Sequence, residues 1–116
     1  MATEGEAISS QLRKGVVELA ILALLHSGEA YGAEIVDRLD RHPALAISAG
    51  TAYPLLSRLK KAGLITSVWR ESALGPPRKY YSLSPSGTRA YASMSKAWTA
   101  IRADMDDLLG TDPAHE

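Results

Sequence analysis

Six cations, Arg58, Lys60, Lys61, Arg70, Arg78 and Lys79, share residues 48–83 with a single acid, Glu71, a local net charge of +5. Guanidinium and ammonium groups at this density suit phosphate neutralisation, each one that meets a phosphate displacing a condensed counterion. The rest of the chain has the opposite sign: −1 over residues 1–28, −2 over residues 29–47 and −2 over residues 84–116. Thirteen basic and thirteen acidic residues therefore balance, and the neutral total conceals a basic middle third. A short charge cluster alone reads as readily as a solvated face, so the elements that carry it decide its meaning.

Other chemistry finds little support. There is no cysteine, which excludes disulfides, zinc–thiolate sites and cysteine nucleophiles. His26, His42 and His115 are scattered without metal-ligand spacing, and no zinc-protease, serine-hydrolase, nucleotide-binding or phosphate-loop motif occurs. Asp104, Asp106 and Asp107 lie close to a helix end, where they read as a solvated face; their place at the negative end of the helix dipole predicts fraying. The expectation is a protein that is not an enzyme and holds no metal or cofactor. At 116 residues, with 46% hydrophobic and 22% charged residues, the chain suits one globular domain. "MATEGEAISSQ" is polar and acidic, unlike a signal peptide, and no apolar run reaches the ~20 residues of a membrane span, so the expected location is cytoplasmic.

The pattern predicts four helices and a hairpin. "SQLRKGVVELAILALLHS", Ser10–Ser27, is apolar on almost all sides after Val16, as a buried central helix requires, and Gly28 stops it. A second helix runs from about Tyr31 to Arg41 and closes at His42-Pro43. A third runs from Ser48, an N-cap residue, to about Ala62, with Gly63 as the stop. "LITSVWRE" and "RKYYSL" read as strands around "SALGPP", whose Gly-Pro-Pro is expected to be loop. Ser84-Pro85-Ser86-Gly87 signals a start, and a last helix covers roughly Thr88 to Leu109. The fold class is mainly α with a small β-hairpin: a winged helix-turn-helix over residues 1–87, residues 1–9 being flexible, a long C-terminal helix over 88–110 and a flexible tail over 111–116. In that fold the third helix enters the DNA major groove.

At about 100° per residue, Ala52, Leu55, Leu56 and Leu59 fall in one arc and face the core. Gly50, Tyr53, Pro54, Ser57, Arg58 and Lys61 fall on the opposite side, small at the start and basic at the end. Such a face allows close approach to base edges first and reaches phosphates later. Tyr53 either contacts DNA or packs on the preceding helix. Pro54 removes a helix hydrogen bond, and Gly50, four residues earlier, adds no side chain to the crowding. Arg70, Arg78 and Lys79 flank the hairpin tip, where a wing on the backbone or in the minor groove would use them.

Tyr91, Met94, Trp98, Ile101, Met105 and Leu108 are spaced 3, 4, 3, 4 and 3 residues apart, a narrow seam of a/d type. The seam predicts a homodimer interface, shared with the first helix, or else internal packing. A dimer also suits a symmetric operator, whose half-sites lie about 34 Å apart. Trp98, with Met94 and Ile101 beside it, forms an adaptable, polarisable surface on which a flat aromatic effector would stack.

Three stretches, "VELAILALLHSGEAYGAEI" (Val17–Ile35), "SAGTAYPLLSRLKKAGLI" (Ser48–Ile65) and "GPPRKYYSLSPSG" (Gly75–Gly87), resemble the PadR family of transcriptional regulators. The resemblance implies a bacterial, mostly repressing regulator that binds inverted-repeat operators in double-stranded DNA as a homodimer. It also implies effectors such as phenolic acids, drugs or antibiotics at the dimer interface. By position it places Ser48, Gly50, Thr51 and Tyr53 at the helix start that meets DNA, and Arg78 and Lys79 on the wing. The single last helix resembles the short branch of the family. The alternative is a winged helix that docks an acidic protein partner through the same basic face, without operator binding.

Overall fold

The computed structural model describes residues 11–110. The expectations for Ser10, His115 and the two termini lie outside them. The elements are α1 (Val16–His26), β1 (Ala30–Tyr31), α2 (Gly32–Asp40), a 3-10 turn at Pro43–Leu45, α3 (Ala49–Lys61), β2 (Ile65–Ser72), β3 (Gly75–Leu83) and α4 (Pro85–Leu109). This is the expected mainly helical winged fold, with four differences.

The expected first helix is broken in two: Gln11, Leu12 and Arg13 are helical, but Lys14 and Gly15 form a turn and α1 starts anew at Val16, because Gly15 takes φ 83°, a left-handed conformation that interrupts a right-handed helix. The sheet has three strands, ordered β1-β3-β2, where a two-stranded hairpin was expected. Strand β1 is only two residues long and pairs Ala30 with Tyr81 and Tyr31 with Tyr80. The Gly-Pro-Pro segment, expected as loop, belongs to β3. Strand β1 reaches only Tyr80 and Tyr81, and the β2–β3 register is irregular between Arg70 and Ser72, so Pro76 and Pro77 occupy no paired position. Their missing N–H groups therefore cost no ladder bond. Finally, α4 starts at Pro85 and is continuous helix through its aspartates: it runs to Leu109 and ends at a left-handed Gly110, with Arg102 near Asp106 one turn on at 3.9 Å.

The core gathers around α1. Ile21, Leu22, Ile35, Leu39, Leu56 and Ile65 are fully buried, and Ala30 and Tyr81 join them from the sheet. One junction fixes where α4 leaves this body. The Ser84 N–H donates to the Leu64 carbonyl at 3.0 Å, and its hydroxyl donates to the Gly63 carbonyl at 2.6 Å. The same hydroxyl oxygen caps α4 by accepting from the Gly87 N–H at 3.0 Å. A Cβ on Gly87 would lie 1.9 Å from the Leu64 oxygen, so only glycine allows this crossing.

Candidate nucleic-acid interface

Helix α3 presents the two faces its spacing predicts. Ala52, Leu56 and Leu59 are buried and Leu55 is partly so; Gly50, Thr51, Tyr53, Pro54, Ser57, Arg58 and Lys61 are exposed. Ser48 is the N-cap: its hydroxyl oxygen accepts from the Thr51 N–H at 3.2 Å, and the two hydroxyls lie 3.3 Å apart. Two polar side chains are thereby held at the helix start, where the dipole favours an anion such as phosphate. Tyr53 packs on the preceding helix, the second of the two roles considered for it, and still keeps an outward edge. It is 46% exposed, yet its ring lies on Gly32 at the start of α2, so close that a Cβ there would come within 2.5 Å of Cε1 and 2.7 Å of the phenolic oxygen.

On the hairpin, alternation along the strands sends the three cations to two different faces. Arg70 and Arg78 are directly opposite each other and share the outer face with Tyr31 and Tyr80. The Arg78 guanidinium lies 4.4 Å from the centre of the Tyr31 ring and that of Arg70 lies 5.4 Å from Tyr80. The two tyrosines meet edge to face at 5.5 Å. Lys79 points the other way, its ammonium 5.9 Å from the Trp69 ring and 6.0 Å from the Tyr81 ring. Burial, with a smaller contribution from Tyr53, pushes the Tyr81 hydroxyl above the ordinary tyrosine value of 10.0.

Two of the expected phosphate ligands are already engaged by carboxylates. Arg58 is paired with Glu18 of α1, and Arg70 with Glu29 just before β1. Neither glutamate was picked out by sequence reasoning, nor were Arg13 and Lys14. These two cations flank a groove of about 720 Å³ whose opposite wall includes Ser48, Thr51, Pro54 and Arg58. Arg13 is anchored there, donating to the Ala46 carbonyl at 3.1 Å. Their segment is net negative in sequence, so only the fold brings its cations beside α3.

The seam of α4 divides in two. Tyr91 stacks on His26 with ring centres 4.4 Å apart, and with Met94 it packs against the chain's own core. Trp98, Ile101, Met105 and Leu108 stay exposed, at 41%, 55%, 44% and 79%. The groove beside α3 is lined by none of Trp98, Met94 and Ile101. Among the described residues no three His, Asp or Glu side chains gather as a metal site needs, and no helix is long and apolar enough to cross a membrane.

Comparison with known proteins agrees with this architecture. A transcriptional regulator of Mycobacterium tuberculosis is 33% identical over 87 residues, covering 75% of this chain and 79% of that protein. The crystal structure of a PadR-like transcriptional regulator from Bacillus cereus superposes with a TM-score of 0.79 at 35% identity, covering 85% of this chain and 96% of the other. Bacillus subtilis PadR in complex with operator DNA superposes with a TM-score of 0.62 at 28% identity, over 67% of this chain and 45% of the other. Residues 21–93 match the family described as "Transcriptional regulator PadR-like family". The chain belongs to this family of transcription regulators, which are not enzymes.

Proposed function

We propose that the chain is a homodimeric, cytoplasmic repressor that binds an inverted-repeat operator in double-stranded DNA and is released by a small aromatic effector. The observation that carries this reading is the exposed face of α3. It is capped by Ser48, free of bulk at Gly50, and followed by Tyr53, Ser57, Arg58 and Lys61 on the same side. A helix of this kind enters a major groove by its N-terminal end and meets phosphates with its later cations. The Bacillus subtilis relative seen with operator DNA supports it. The dimer rests on the exposed half of the α4 seam, Trp98 to Leu108, which lies beyond the cover of α1. The effector would stack on Trp98, which keeps its ring half open to such a ligand between Met94 and Ile101.

The wing cations give the test its sharpest form. A ribbon entering a minor groove edge-on meets a phosphate strand on each side, which suits Arg78 and Lys79 on opposite faces. Binding to a duplex from the promoter of the chain's own gene is measured against salt, with a shuffled duplex as competitor. Arg78→Gln and Lys79→Gln should each lower the log–log slope by about one. Tyr53→Ala should weaken promoter binding more than shuffled binding. Equal competition by the two duplexes overturns the reading and leaves an acidic protein as the partner of this face. For the effector, quenching of tryptophan fluorescence by a phenolic acid should disappear in Trp98→Phe, where Trp69 alone emits; quenching that persists clears Trp98 of the role.

A further inference from the structure

Four consecutive residues, Glu29 to Gly32, reach both the wing and the reading helix of the surface assigned to DNA. Glu29 holds Arg70. Ala30 and Tyr31 pair with Tyr81 and Tyr80, fastening the wing's central strand to the body. The Tyr31 ring lies under the Arg78 guanidinium at 4.4 Å. Gly32 is the floor on which the Tyr53 ring rests. The segment itself is fixed at both ends: Ala30 and Gly32 are buried, and the Tyr31 N–H donates to the Glu34 carboxylate at 3.4 Å.

We infer that Tyr31 and Gly32 are positioning residues for DNA recognition, Gly32 acting through Tyr53 of the reading helix and Tyr31 through Arg78 of the wing. This rests on the DNA-binding reading above. The physical case has two parts. A ring packed against a backbone without a side chain has one place to lie, so the half of Tyr53 that faces outward is presented in one orientation instead of many. A guanidinium stacked on an aromatic ring has likewise lost most of its side-chain freedom before DNA arrives, and what it does not lose on binding adds to affinity. Because the same four residues set both side chains, they also fix the distance between the helix contact and the wing contact. A residue that touches DNA nowhere then contributes to which sequence is chosen.

Two double-mutant cycles test this with promoter and shuffled duplexes. Gly32→Ala and Tyr53→Ala should each reduce the preference for promoter DNA by about tenfold. The double variant should lose no more than Tyr53→Ala alone and should melt higher than Gly32→Ala, since the clash is gone. Should Gly32→Ala fail to fold, a double variant that folds by circular dichroism with the preference of Tyr53→Ala gives the same answer. Tyr31→Leu should weaken binding about threefold, Tyr31→Phe should bind as the parent does, and Tyr31→Leu should cost nothing further in an Arg78→Gln background. Additive losses in either cycle, a double variant that does not fold, or failure of Tyr31→Phe to match the parent overturns the inference. A parent chain without promoter preference instead overturns the DNA-binding reading on which it stands.

Discussion

Arg58 and Arg70 each answer to a carboxylate some forty residues away in sequence, Glu18 and Glu29 respectively. Exposed pairs of this kind add little to stability, but they change what the arginines do next. To meet a phosphate, each must first leave its glutamate, and the glutamate must then take up a cation from solution. Glu18→Gln removes that competition, so affinity for shuffled DNA should rise and the salt slope should steepen by about 0.9; filter binding at several salt concentrations reads both. An unchanged slope would show that Glu18 does not compete with phosphate for Arg58. At this scale the sequence was legible in part. Charge and helical spacing identify Arg58 as outward-facing, and the structure keeps it so. What it pairs with depends on where α1 crosses α3, and no local pattern encodes that.

Elements show the same division between local and distant causes. Helix α3 has its cap, its faces and its stop written locally in Ser48, the leucine spacing and Gly63, and all three hold. Strand β1 has no such signal: two residues become strand only because Tyr80 and Tyr81 arrive beside them. Pro76 and Pro77 mislead for the converse reason, since a rule about lost ladder bonds does not apply where no ladder position exists. Gly15 was hidden inside an otherwise continuous helical run. The anchoring of β3 also has a pH signature. The Tyr81 pKa is raised, so just above pH 10 the folded chain keeps a proton that the unfolded chain has lost. Its contribution is therefore complete below that pH and is lost as pH rises through the folded value. In urea, the midpoint should fall more steeply above pH 10 for the parent than for Tyr81→Phe; parallel curves would contradict it.

The molecule as a whole is elongated, with extents of 56 × 36 × 23 Å and a radius of gyration of 16.5 Å, against about 13 Å for a compact hundred-residue domain. Helix α4 accounts for the excess: it carries Trp98, Ile101, Met105 and Leu108 past the body that buries Tyr91 and Met94. Light scattering at micromolar concentration should give a dimer, and Ile101→Asp, which places a charge in the exposed stripe, should give a monomer that still folds. A parent chain that scatters as a monomer would remove the dimer. Charge also divides at this scale, the basic reading surface opposed by net negative charge elsewhere, which disfavours approach to DNA in any other orientation. Finally, the crossing at Gly87 has a mechanical meaning. It is a fulcrum with about 33 Å of rigid rod beyond it, so a tilt of about 5° there swings Leu109 by about 3 Å. In the proposed dimer the far end is held and the lever works in reverse, moving each reading helix along the DNA. The spacing a repressor tolerates between its half-sites would then be set where one hydrogen atom stands in place of a methyl group.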